Sequence, residues 1–121
     1  MITILEQSEG ANIGVFVSGK VDAAEENKWI AIFDKLIADH GEINMLIVID
    51  DNISFTLEAA YDDFKWALKN IKHMHNLAIV SNSKTLAWLI AVDSPFGKLV
   101  GVNEKHFETS ELAQAWHWVT S

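Results

Sequence analysis

Lys65, Lys69 and Lys72 recur at i, i+4 and i+7 with Trp66 beside them, so a helix turning about 100° per residue gathers the three ammonium groups on one side. Lysine stems and an indole ring suit the headgroup zone of a bilayer, where each lysine near an anionic surface contributes about 1 kcal/mol. A solvated lysine face with one tryptophan against a neighbouring helix has the same spacing. Other polar groups offer less chemistry. Asp50 and Asp51 stand at the carboxyl end of an apolar run, where open α/β sheets bind ligands, but acid–base work needs a partner and a pocket the sequence does not specify. Aspartates that close a strand at a turn fit equally well. His73 and His75 are two ligands without a third, and with no cysteine in the chain no metal site is expected. There is no Gly-x-Ser-x-Gly elbow and no glycine-rich phosphate loop. The chain therefore reads as non-enzymatic, with no catalytic residue and no cofactor.

The apolar groups are more suggestive. On a helix over 56–72, Leu57, Tyr61, Phe64, Leu68 and Ile71 form one stripe, the face expected to pack on a sheet, with Trp66 projecting roughly opposite. Residues 86–92 (LAWLIAV) carry no polar side chain at all, and a helix apolar all round must be buried on every side or hide one face conditionally. The expected arrangement has these second and third helices leaning on each other over an apolar cavity. Tyr61, Phe64, Trp66 and Leu68 with Leu86, Trp88, Leu89 and Ile90 would line or gate it, and Lys65, Lys69 and Lys72 would meet a headgroup. Turns around Ser83, Ser94 and Gly97 are places where the helices could swing apart. A packed core helix, or one buried in a homodimer, remains the alternative.

Composition sets the frame for these elements. At 121 residues the chain allows one domain, 1–121, and with 50% hydrophobic residues it can build a core. Nine lysines, no arginine and seventeen acidic residues give a net charge of −8, which disfavours nucleic-acid partners. The acidic start MITILEQSEG does not read as a signal peptide, and no apolar window reaches the 18 residues of a membrane span. A cytoplasmic protein is expected, with reversible association at a membrane surface left open.

Period switching orders the elements. Short strands over 2–5 and 13–18 flank a turn-prone 9–12 and should form a hairpin. Asp22 with Glu25 reads as a capping box opening the first helix, which ends at Gly41 in a left-handed conformation. The run 43–49 (INMLIVI) suits a central strand covered on both faces. Thr56 can cap the second helix; 77–80 is another buried strand; Ser83 can cap the third helix, stopping near Pro95. A last strand over 104–107 precedes a helix capped by Thr109 and running to 119. The order β-β-α-β-α-β-α-β-α predicts a single α/β domain with a mainly parallel five-stranded sheet, strand 1 antiparallel at its edge.

Four segments carry a family resemblance: Ser18-Gly19-Lys20-Val21-Asp22, His40-Gly41-Glu42-Ile43, Asp62-Asp63-Phe64-Lys65 with Lys69, and Phe107-Glu108-Thr109-Ser110-Glu111-Leu112 running to Trp116. Over nearly its whole length the chain resembles the small SpoIIAA-like proteins of the STAS-related group, whose fold is similar to the lipid-binding CRAL-TRIO domain. The resemblance implies a non-enzymatic domain that binds a protein partner or a small apolar ligand, and CRAL-TRIO domains admit lipid through a movable helix. One departure stands out. STAS anti-sigma-factor antagonists place a phosphorylatable serine in an Asp-Ser-Gly-type motif after the central strand, where this chain has Asp50-Asp51-Asn52-Ile53-Ser54-Phe55-Thr56. The sigma-factor switch does not carry over, and Thr56 is more simply a helix cap. The leading expectation is thus a binding domain for a small apolar or lipid-like molecule. The alternative is an interaction module meeting a protein partner or a second copy of itself.

Overall fold

The computed structural model describes residues 1–50, 54–55, 66, 69–82 and 103–121. Five strands, β1 (Ile2–Ile4), β2 (Asn12–Val17), β4 (Ile43–Ile49), β6 (Met74–Ser81) and β7 (Asn103–Glu108), form one sheet in the order β1-β2-β4-β6-β7. β1 is antiparallel to β2 and every other neighbour is parallel. This is the expected α/β architecture.

Cross-strand register sorts the side chains into two apolar faces, because successive residues of a strand point to opposite sides. Ile13, Met45 and Leu77 form one row, and Val15, Ile47 and Ile79 the next, all on one face. The other face carries Gly14, Leu46 and Ala78, then Phe16, Val48, Val80 and Phe107. Leu46, Ala78 and Val80 are fully buried, so β4 and β6 lie in the middle of the protein.

Helix α1 (Ala23–His40) covers the first face with Trp29, Phe33 and Ile37, which recur at i, i+4 and i+8. Its start keeps one half of the expected capping box: Asp22 is the N-cap and its Oδ1 accepts the Glu25 N–H at 3.0 Å, but the Glu25 side chain turns away from the cap. The carboxylate of Glu25 is engaged with β1, accepting the Ile2 N–H and pairing with the N-terminal ammonium at 3.3 Å. At the other end Gly41 has φ 80°, open to glycine at little cost, and its N–H closes the last turn on the Ile37 carbonyl at 2.6 Å.

Helix α2 (Leu112–Val119) covers the opposite face, burying Ala115 and Val119 completely. Its entry corrects the expected Thr109 cap. β7 extends to Glu108, and a 3₁₀ turn over Thr109–Glu111 comes between strand and helix, so Thr109 lies inside the turn. The Glu108 N–H is held by Glu111 Oε1 at 2.9 Å. Two further features were not expected. Strands of only two residues, β3 (Lys20–Val21) and β5 (Ser54–Phe55), pair in parallel beside the start of α1. Asn12, Asn44 and Asn76 form a ladder across the amino ends of β2, β4 and β6. Asn44 Nδ2 donates to Asn12 Oδ1 at 2.8 Å, and Asn44 Oδ1 accepts the Asn76 N–H at 3.1 Å. Asn76 Nδ2 then donates to the Val119 carbonyl at 3.1 Å, tying down the end of α2. Among the described residues no helix is long and apolar enough to cross a membrane.

Candidate functional site

The α1 face carries a run of aromatic rings. Trp29 and Phe33 sit one turn apart on α1 with ring centroids 6.1 Å apart, and Phe33 lies 5.6 Å from the ring of Trp66, both pairs tilted. All three side chains are buried. Trp66 Nε1 donates to Asp34 Oδ1 at 2.7 Å, which gives its polar edge a charged acceptor at the rim while the ring stays in the core.

Of the two readings of the 65–72 spacing, the structure matches a tryptophan against a neighbouring helix and not one projecting away from the core toward a bilayer. The wheel of an ideal helix over 56–72 ignores the neighbouring α1, whose Phe33 and Asp34 offer that indole both an apolar and a polar contact. The chain after Trp66 is held as well. Asn70 Nδ2 donates to the Trp66 carbonyl at 3.0 Å, a 3₁₀ turn spans Ile71–His73, and His73 Nδ1 donates to the Gly41 carbonyl at 3.0 Å. The segment is thus fastened to α1 near Asp34 and again at Gly41, running beside it in the same direction. Lys69 and Lys72 are exposed. Tyr61, Phe64, Lys65, Leu68, Leu86, Trp88, Leu89 and Ile90 lie outside the described residues, as do Asp51, Thr56 and the third helix. Ile79, which shares its row with Ile47, is buried on this same face.

Polar groups inside the protein are few, and their positions differ. Among the described residues the buried polar side chains are Glu26, Asn76 and Ser81. Asn76 belongs to the ladder at the amino ends of the strands, a purely structural role. Ser81, at the carboxyl end of β6, is fully enclosed with its hydroxyl 3.5 Å from the Asn82 carbonyl. Glu26 lies in the first turn of α1, three residues before Trp29 and on the same side of the helix. Trp29 is 7% exposed, and its buried Nε1 has no hydrogen-bond acceptor among the described residues. Asp50 continues the β4 ladder through its N–H to the Val17 carbonyl at 2.9 Å, and the pairing of Lys20 with Ser54 brings β5 alongside β3. Among the described residues no group of three His, Asp or Glu side chains could hold a metal ion.

Trp29, Phe33, Asp34 and Glu26 were not singled out from the sequence. A signal was there: an acidic residue at position 26 in the apolar α1 stripe 26-29-33-37, two of whose members are aromatic. That stripe reads as core, and what distinguishes it is its contact with Trp66, a partner thirty-odd residues away.

A model of the family described as SpoIIAA-like matches residues 12–120. A crystal structure of an uncharacterized protein with a SpoIIAA-like fold from Shewanella loihica PV-4 is similar in fold, with a TM-score of 0.75 and 24% sequence identity. The alignment covers 98% of this chain and 93% of that one. No curated protein matches.

Proposed function

Because the chain belongs to the SpoIIAA-like family, we propose that this STAS-type domain is a non-enzymatic binder of a small apolar or lipid-like molecule. The ligand is held between the helices read over 56–72 and from 83 to about 93, on the side of the sheet that α1 shares. The observation that supports this reading is the aromatic run Trp29–Phe33–Trp66, a buried wall of large, polarisable rings. Tyr61, Phe64 and Leu68 would continue it, Leu86, Trp88, Leu89 and Ile90 would close over the ligand, and Trp66 serves as fixed wall. The bonds from Trp66 to Asp34 and from His73 to Gly41 support that fixed role. Lys65, Lys69 and Lys72 would meet an anionic headgroup when the domain rests on a membrane. Ten buried methylenes would contribute roughly 8 kcal/mol before ordering costs, which is sufficient for useful affinity.

Native mass spectrometry before and after organic extraction tests this reading. A removable adduct of lipid mass is expected, and it should be lost in Trp88→Asp. Capture that is indifferent to that substitution would defeat the proposed site. A second reading, a module for a protein partner or a second copy, is favoured by one observation: Ile4, on the edge strand β1, is 58% exposed. A clean dimer mass without adduct would support it.

A further inference from the structure

We propose that the free edge of β1 is where a second copy of this chain docks, antiparallel, with Ile4 opposite Ile4 of the copy, so that one sheet runs through both. This surface and its register rest on the reading of the domain as a module that meets a second copy, and they need no ligand.

An antiparallel strand turns the N–H and C=O of alternate residues to alternate sides. The Ser18 N–H donates to the Met1 carbonyl and the Leu5 N–H to the Gly14 carbonyl, each at 2.8 Å, so residues 1, 3 and 5 are the ones that bond to β2. Ile2 and Ile4 turn their backbone groups outward, to an edge that no described strand covers. The Ile2 N–H is already taken by the Glu25 carboxylate. Among the described residues, Ile4 is therefore left with the one outward pair of β1 whose donor and acceptor are both open.

That single pair decides how two copies can meet. With a two-fold axis at Thr3, Ile2 would face Ile4 of the copy and its N–H would have to leave Glu25. With the axis at Ile4, the two isoleucines exchange N–H···O=C bonds with each other and Glu25 keeps its partner. The chain turns at residues 6 and 7, so the copy leaves the edge before it reaches Glu25. A foreign strand lying along the whole edge would meet the obstacle at Ile2, whereas a second copy is satisfied by the pair at Ile4.

The side chains fit a covered edge. Edges that stay unpaired are commonly guarded by a lysine, a proline or a bulge. Here Ile4 is 58% exposed and Met1 64%, and these are the large apolar side chains left exposed among the described residues. Helix α1 extends the patch. Ile32 and Leu36 lie seven and eleven residues after Glu25, hence within about 20° of it around the helix, on the side that touches β1, and both are half-buried. A two-fold axis normal to the sheet keeps both copies of α1 on the same side of it, so pairing at Ile4 draws these side chains toward the copy as well.

Sedimentation equilibrium of the full chain at about 100 µM, the range a small interface needs, should show a reversible dimer. Ile4→Lys, a change on an exposed side chain, should weaken association by about tenfold or more and leave the thermal unfolding midpoint in place. Cysteines read the register, because the chain has none of its own. Under mild oxidation Ile4→Cys should close to a linked dimer, since a hydrogen-bonded antiparallel pair sets its Cα atoms about 5.5 Å apart, within reach of a disulfide. Thr3→Cys should not, because it stands two residues out of step with its own copy. A wild-type chain that stays monomeric overturns this surface and the second-copy reading together. A dimer indifferent to Ile4→Lys keeps that reading and overturns this surface, and faster linkage of Thr3→Cys than of Ile4→Cys overturns the register.

Discussion

On the α2 face of the sheet, Gly14 leaves β2 bare so that Trp116 can lie against its backbone, and Ala115 and Val119 seat α2 with no exposed surface. On the α1 face, larger and softer groups meet: the rings of Trp29, Phe33 and Trp66 contact one another at tilted angles, and a carboxyl group is enclosed at Glu26. The same strands serve both sides, since Met45 and Leu46 are adjacent residues of β4. Small-to-large complementarity makes a closed wall on one side, and a run of contacting rings makes a wall of a different kind on the other. The difference places the closed part of the core away from the candidate site and on the side of the C-terminal helix.

The largest expected effect lies on the closed face. Leu46→Ala should cost about 3 kcal/mol in urea unfolding, because a fully buried side chain leaves a cavity that close packing cannot collapse. Met45→Ala, one residue away and facing α1, should cost less, about 2 kcal/mol. Equal losses would break the contrast between the faces. Gly14→Ala should cost about 2 kcal/mol by driving a methyl into the Trp116 ring, and Trp116→Leu in the same chain should recover most of that loss. An additive double variant would show that the ring does not rest on Gly14. Asn76→Ala should cost about 1.5 kcal/mol, since it strips the Val119 carbonyl of its donor, while the backbone N–H of residue 76 keeps its bond to Asn44 Oδ1. The matching readout is faster amide exchange in the last turn of α2.

These effects also mark what the chain discloses by itself. The strand over 43–49 and the helix ended by Gly41 were legible because an unbroken apolar run and a glycine after the last periodic residue are local signals. Asp22 was legible for the same reason. β3 and β5 were not, because two residues carry no period, and they exist only by pairing with each other. The asparagine ladder needs the register of three strands before its members become neighbours. A neighbouring helix was one of the two places the spacing allowed for Trp66, but its partners Asp34 and Phe33 were not legible, because a helical wheel knows nothing of them. Local signals were thus readable on both faces, while the asparagine ladder beside α2 and the aromatic wall beside α1 were not, because each is made where distant segments meet.

Two small effects sharpen the comparison at its rim. Asp34→Ala should cost about 1 kcal/mol and shift the Trp66 indole resonance, since the ring keeps its stacking on Phe33 but loses the acceptor of its N–H. A Trp66 resonance that stays in place would mean that Asp34 does not hold the segment. Smallest of all in stability is the double substitution Lys69→Gln with Lys72→Gln. Both side chains are exposed, so unfolding should change by less than about 0.5 kcal/mol. Binding to vesicles containing anionic lipid should nevertheless weaken, by about tenfold if each lysine contributes about 1 kcal/mol at the surface and part of that is retained by Lys65. Vesicles of neutral lipid should show no such difference. Loss of binding to neutral vesicles would assign the two lysines to packing, and an unchanged affinity for anionic vesicles would remove the membrane from the function of this face altogether.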